Sequence, residues 1–324
     1  MHSISFIVPT YNNFNLLKRC IDSIISQINE NDELIIVDDG STDGTYEKIN
    51  EAYKISNIKI IRQENSGSGI ARNKGIENSN SDYIWFVDAD DEIATDSVSK
   101  IRDALQENPE IIIFDYIVRS GEGDFVQDLN IDVTDIQQLL LLNHFPWNKV
   151  FKRNIFDSLR FPINKIRYQD HATIPNTYSI ASKIKYIAHP LYVYDFSHEG
   201  NISKDSSKRD HIYIACDYLQ KTLPKYQFEL VIIKTLILNR MFDKGRTINQ
   251  IKLDFEKITR YLSDNQVNWK QSQYTRLRFF KKYKKFIPYS YLKWFVITIL
   301  RKNAKFGLVM LIILMRFRET IKTN

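Results

Sequence analysis

Asp88-Ala89-Asp90 closes the apolar run Tyr83-Ile84-Trp85-Phe86-Val87. Two carboxylates one residue apart, at the end of a buried strand, are hard oxygen ligands placed where open α/β sheets bind their ligands. A divalent cation held there can bridge two phosphates and carry the charge of a departing diphosphate. Asp88–Glu92 also reads as an acidic turn before a helix, so the motif takes its meaning from its surroundings.

Three further polar clusters follow apolar runs. They are Pro9-Thr10-Tyr11-Asn12, Asp38-Asp39-Gly40-Ser41-Thr42-Asp43-Gly44-Thr45 and Glu64-Asn65-Ser66-Gly67-Ser68-Gly69-Ile70-Ala71-Arg72-Asn73. Each alone is an ordinary turn, cap or loop. Four at matching strand ends are what a nucleotide site in a parallel sheet requires.

The elements that must position them are short. Ile4–Val8, Leu34–Val37, Ile58–Ile61, Tyr83–Val87 and Ile111–Phe114 are rich in Ile, Val and aromatics and read as buried strands. Leu16–Ile28, Gly44–Tyr53, Ile70–Asn78 and Thr95–Gln106 have helical spacing, with Asp43 and Thr95 as N-caps. This alternation predicts a doubly wound, mostly parallel α/β sheet with flanking helices. Ile136–Leu142 and Asn148–Phe156 read as helices and Leu191–Tyr194 as a strand. From about residue 205 the pattern is helical, with apolar periodicity over His211–Leu223 and Phe228–Phe242. We therefore expect a domain over 1–204 and a helical region over 205–324.

Gly67-Ser68-Gly69 is not a dinucleotide fingerprint. It follows the third strand rather than the first, and Arg72 stands where the last glycine belongs. No Gly-x-x-x-x-Gly-Lys-Ser/Thr loop occurs. Dehydrogenase and P-loop ATPase readings fall.

Ser5–Asn12, Ile36–Thr45, Asn65–Gly75 and Phe86–Asp91 together resemble the family 2 glycosyltransferases of GT-A fold, over roughly residues 3–200. The resemblance is of the bacterial surface-polysaccharide type. It implies that Pro9, Thr10, Tyr11 and Asp39 hold the nucleotide base, that Arg72 reaches the nucleotide, and that Asp88 and Ala89 meet the ribose or the metal shell. Asp90 would ligate Mn²⁺ or Mg²⁺, with Asp88 beside it. The residue types suit these roles: Asp39 can accept a pyrimidine N–H, and Tyr11 offers a π-face.

Phe145–Arg153 resembles the Trp-x-Lys segment of polysaccharide members, which makes Lys149 a candidate for donor binding. The family then carries Glu-Asp at a helix start, the Asp being the catalytic base. Here the pair reads Gln169-Asp170, so Asp170 is the base candidate, without the adjacent charge that would raise its pKa. Pro175 favours a helix start near Thr173–Pro175, which argues against a mere capping role for Asp170. Leu191–Ser203 resembles the family's closing segment and offers His198 to the metal or diphosphate. His171 and His189 carry no assigned role.

The net charge of +6 hides a division. Residues 269–324 hold 14 Lys or Arg and one acidic residue, Glu319, so the preceding 268 residues carry a net −7. In the tail, cations and aromatics are interleaved from Tyr274 to Phe286, and apolar runs follow at Trp294–Leu300 and Phe306–Met315. Neither run reaches the ~20 residues of a spanning helix. The combination suits an anionic membrane surface. A single-stranded nucleic acid would have no use for the Ile/Leu/Val/Met runs, so nucleic acid is not the expected partner. Phe306–Met315 is alternatively a core helix or the contact of a homo-oligomer. Cys20 and Cys216 lack metal-ligand spacing and read as buried thiols in a reducing compartment. The start has no basic n-region or long apolar h-region. We expect a cytoplasmic protein, peripheral on the inner face of the plasma membrane.

The function that follows is metal-dependent, inverting transfer of a sugar from a nucleotide-sugar, a UDP-sugar above all. The acceptor would be a hydroxyl of a lipid-linked or cell-surface glycan. A sugar-nucleotide nucleotidyltransferase is the first alternative, although Pro9–Phe14 lacks the glycine-rich basic loop it would need. A degenerate module that only binds nucleotide or membrane is the second, supported by Gln169.

Overall fold

The structure is a computed structural model, and it describes residues 2–197, 208–239, 248–287 and 296–300. The chain forms two compact units. One comprises Met1–Ile136 with His144–Leu223; the other comprises Gln137–Asn143 and the chain from Pro224 on.

The first unit begins with strand β1 (Ile4–Thr10), helix α1 (Phe14–Ile25), β2 (Glu33–Asp38), α2 (Thr45–Ala52), β3 (Ile58–Arg62), α3 (Ser68–Asn78) and β4 (Tyr83–Phe86). β5 (Glu92–Ile93), α4 (Ser97–Leu105), β6 (Ile111–Arg119) and β7 (Phe125–Gln127) follow; α5 (Ile136–Leu141) is next in the chain and from Gln137 on belongs to the second unit. Next come β8 (Lys149–Lys152), α6 (Gln169–Ile180), β9 (Ile184–Asp195) and α7 (His211–Thr222). All nine strands join one sheet in the order β3-β2-β1-β4-β8-β6-β9-β5, with β7 beside β6. The β3-β2-β1-β4 half is parallel throughout. β8 is antiparallel to both of its neighbours, β5 to β9 and β7 to β6, while β6 and β9 are parallel.

Every residue of β1, β2 and β4 is buried, which is why these strands show no apolar–polar alternation. Phe6, Trp85 and Phe114 pack in the core from three strands, with ring centroids 5.5 and 5.2 Å apart. The indole N–H of Trp85 would be costly to bury unpaired; it donates to the Trp147 carbonyl at 2.9 Å. Cys20 and Cys216 are buried free thiols.

Three local expectations are corrected. Asn148–Phe156 is not a helix but β8 followed by the 3₁₀ turn Arg153–Phe156. Val150 pairs with Trp85 on one side and Ile112 on the other, and this tertiary pairing overrides the helical spacing. α6 starts at Gln169 rather than near Pro175, which sits inside the helix. Burial of Ala172 to Tyr178 outweighs the backbone bond the proline cannot make. The caps fall one residue later than read. Gly44 (φ 80°) and Asp96 (φ 59°) take the cap positions of α2 and α4, and Asp43 instead accepts the Thr45 amide at 3.0 Å. The helical pattern beyond residue 204 begins inside the first unit, where α7 belongs.

In the second unit, α8 (Lys225–Ile232) runs on as a π-helical stretch over Ile233–Asn239, and α9 (Ile248–Asp264) and α10 (Leu277–Lys282) follow. Val231, Ile233, Leu236, Ile258, Leu262 and Phe280 are fully buried in it.

Candidate active site

Parallel registry sets the site. Thr10 pairs with Asp38 and Asp38 with Arg62, while Phe86 lies beside Ile7, so all four strands deliver their following residues to one edge. A cavity of about 810 Å³ opens there. Pro9, Thr10, Tyr11, Asp39, Arg72, Asp88, Ala89 and Asp90 line it, together with Asn12, Asn13, Leu16, Asn65, Gly67, Ser68, Lys165 and Tyr194.

The turn after β1 is locked to the turn after β2. Asn12 and Asn13 both take left-handed backbone (φ 59° and 67°), a conformation asparagine tolerates better than most residues. The Asn12 amide donates to Ser41 Oγ at 2.7 Å, and its side-chain carbonyl accepts the Thr42 amide at 2.9 Å. The Asn13 amide donates to Asp43 at 2.8 Å.

Asp39 is buried and ties three strand ends together. Its amide donates to the Thr10 carbonyl at 2.8 Å. Its Oδ1 accepts from Gln63 Nε2 and the Ser66 amide, and its Oδ2 from the Gly67 amide, all at 2.8 Å. A carboxylate has about four acceptor positions, so Asp39 keeps one, on Oδ2.

The Asp88–Asp91 turn is held from both sides. Arg72, 6% exposed, pairs with Asp88 at 2.6 Å and lies over the Phe161 ring. Tyr192 Oη accepts the Asp88 amide at 3.0 Å and donates to Asp91 at 2.8 Å. Burial, then the charges of Asp90 and Asp88, push the Asp91 carboxyl well up. Arg19 of α1 donates to the Asp90 carbonyl at 2.8 Å and to Asp195 at 2.7 Å. Two polar groups of lining residues, Thr10 Oγ1 and Arg72 Nε, are buried without a hydrogen-bond partner among the described residues.

Asp170 lies in the first turn of α6, behind Tyr168, whose φ of 66° is a strained backbone for so bulky a residue. Its Oδ1 accepts the His171 amide at 2.9 Å. Burial pushes its carboxyl up and the charge of Asp88 adds to this, while the His171 amide and Arg72 pull it down. The raised pKa therefore comes from burial and a residue 82 positions away in sequence. The side chain at 169 is not its cause. Gln169 instead donates to Ser68 Oγ.

Lys149 does not join the cavity. It is fully buried on β8, with Nζ donating to the Phe145 carbonyl at 2.7 Å and Asn148 Oδ1 at 2.6 Å. His198 lies outside the described residues. Lys165 is a lining residue that no motif indicated.

Among the described residues no group of three or more His, Cys, Asp or Glu side chains could hold a metal ion. Asp88 and Asp90 nonetheless fit Mg²⁺ or Mn²⁺. Such ions bind through one or two carboxylates and take their other oxygens from water and substrate phosphates.

Residues 5–171 match the family described as Glycosyl transferase family 2. The chain is 32% identical over 222 residues to glycosyltransferase GlyA of Streptococcus pneumoniae, covering 62% of this chain and 31% of that protein. It is 29% identical over 280 residues to the poly(ribitol-phosphate) beta-glucosyltransferase of Bacillus spizizenii, covering 80% of this chain and 44% of that one. The chain thus spans less than half the length of both relatives. The crystal structure of S. aureus TarS 1-349 in complex with UDP-GlcNAc superposes with a TM-score of 0.59 at 16% identity, over 95% of this chain and 88% of that one. The fold is GT-A, and the chain belongs to glycosyl transferase family 2.

The clasp around Asp39 has a measurable consequence. Asp39→Ala strands the part-buried Ser66 and Gly67 amides, and a stranded donor costs at most about 1–3 kcal/mol, the figure for full burial. The expected outcome is a stability loss of up to that size in urea unfolding, with faster hydrogen exchange at residues 66 and 67. Unchanged stability and protection would show that the turn after β3 is held by other contacts.

Proposed function

We propose that this family 2 glycosyl transferase moves a sugar from a UDP-sugar to a hydroxyl of a lipid-linked or cell-surface glycan, with inversion at the anomeric carbon. The observation that carries the reading is the cavity at four parallel strand ends. Tyr11, whose ring offers a π-face, Asp39, whose carboxylate can accept a ring N–H, and the carboxylates of Asp88 and Asp90 line one volume, and Asp170 is close enough to feel Asp88 and Arg72. The bound UDP-GlcNAc of the TarS complex and the glucosyl transfer in the Bacillus relative's name support the donor and the polymeric acceptor. Residues 1–204 carry the chemistry in this account.

Asp90, with Asp88, would hold Mg²⁺ or Mn²⁺, which would supply charge neutralisation for the departing diphosphate. The lining carries Asp39, Asp88 and Asp90 against Arg72 and Lys165, a net −1, so a diphosphate needs that counter-charge. Pro9, Thr10, Tyr11 and Asp39 seat the base, and Ala89 faces the donor between the two carboxylates. Asp170 takes the proton of the acceptor hydroxyl. That oxygen then bonds to the anomeric carbon, and the C–O bond to the diphosphate breaks with its electron pair on the leaving group.

We further infer that the C-terminal cations meet an anionic membrane on the cytoplasmic side. Among the described residues no helix is long and apolar enough to cross a membrane. Tyr274, Phe280 and Tyr283 are buried in the second unit, whereas Lys281, Lys282, Lys284 and Lys285 are exposed. The cations thus face outward and the aromatics do not. Phe306–Met315 lies outside the described residues.

Two outcomes check these readings. Asp170→Asn should keep UDP affinity and lose about 10²–10⁴-fold in kcat. Because burial raises the Asp170 pKa, the acid limb of wild-type kcat/KM should lie above the ordinary aspartate range, activity falling as the carboxyl protonates. Near-normal turnover in the variant would place the base elsewhere. Glutamates at 281, 282, 284 and 285 should release the protein from anionic liposomes, since each cation contributes about 1 kcal/mol there. Co-sedimentation equal to wild type would remove the membrane reading.

A further inference from the structure

Lys165 lies on the irregular segment between β8 and α6, yet its side chain reaches the turn after β3. The segment is anchored where Asn73 brackets Phe161, donating to its carbonyl and accepting its amide, both at 2.9 Å. It is anchored again where the Arg167 amide donates to His211 Nδ1 at 3.1 Å. Between these points Lys165 lies down on Gly67. A Cβ at position 67 would meet Lys165 Cγ at 3.2 Å, and Gly67 also has left-handed backbone, φ 97°. The Lys165 Nζ donates to Asn65 Oδ1.

Two consequences follow. Asn65 is neutral and Lys165 forms no ion pair among the described residues, so its charge is not cancelled locally. An ammonium has three N–H groups, and two remain. The other lining cation, Arg72, is paired to Asp88 at the carboxylate end of the cavity. Lys165 lies against the turn whose Ser66 and Gly67 amides grip Asp39. A charged donor and a carboxylate with one acceptor position left thus both contact Gly67 and line one cavity.

We propose that Lys165, together with Asp39, selects the base of the donor nucleotide by its lactam edge, an N–H next to a carbonyl. This rests on the reading of the cavity as a nucleotide-sugar site. Asp39 accepts the ring N–H, and Lys165 donates to the adjacent carbonyl oxygen. Uracil, thymine and guanine present that edge. Cytosine and adenine reverse it, showing a ring-nitrogen acceptor beside an amino donor. Such a base would place its amino group against the ammonium and its lone pair against the carboxylate. The discrimination thus comes as much from repulsion as from attraction.

The test compares UDP with CDP, which carry the same diphosphate, so contacts to phosphate and metal cancel in the ratio. Calorimetric titration of the full chain, with Mn²⁺ constant, should give wild type an affinity for UDP about tenfold or more above that for CDP. Lys165→Met should lose most of that preference by weakening UDP and strengthening CDP, and Lys165→Arg, which keeps a donor, should retain it. If Lys165→Met weakens both nucleotides equally, Lys165 serves phosphate or packing and the proposal is overturned. Unchanged UDP affinity and preference in Lys165→Met overturn it equally. Wild type binding neither nucleotide would instead remove the nucleotide-sugar reading itself, and this proposal with it.

Discussion

Parallel pairing of β3, β2, β1 and β4 is the constraint on which the site depends. Thr10, Asp38 and Arg62 share one level of the sheet, and β4 ends alongside β1. Polar residues that follow these strands have one edge to go to. Crowding them there creates a cost, because Asp38, Asp39 and Asp91 are all buried. The structure offsets it with specific partners. Arg62 and the Ser41 amide face Asp38, the turn after β3 wraps Asp39, and Tyr192 with the Asp195 amide holds Asp91. Each partner also fixes a turn that lines the cavity, so satisfying the carboxylates and shaping the pocket are one event.

The two halves of the sheet divide the work. The parallel half supplies most of the cavity's lining. The mixed half supplies β9, whose Tyr192 and Asp195 brace the Asp88–Asp91 turn; the segment after β8 carries Lys165, and the first turn of α6 carries Asp170. Asp170 shows the dependence most directly: its carboxyl is raised by burial and by Asp88, and lowered by Arg72. Its chemistry is set by residues that reach it only when both halves are assembled.

What was legible in the sequence follows the same division. β1, β2 and β4 are fully buried and β3 is half-buried, so their apolar runs announced them, and eight residues read from their motifs line one cavity. β8 is four residues long and is defined by its neighbours, so its helical spacing misled. Lys149 was a donor-binding candidate because Phe145–Arg153 resembles the family's Trp-x-Lys segment; in the structure the surrounding carbonyls satisfy it. Lys165 could not be read, because its partner Asn65 is 100 positions away and nothing local marks the contact. Gly67 was the one available signal: a glycine with left-handed backbone and a close neighbour, without that neighbour's identity.

The central claim is that these strand ends form a metal-dependent nucleotide site. Titration of UDP into the wild-type chain and Asp90→Asn, each with and without Mn²⁺, tests it most directly. The account predicts that Mn²⁺ strengthens UDP binding to wild type and that the variant, still folded, loses this enhancement. Equal metal dependence in both proteins, or none in wild type, would contradict it.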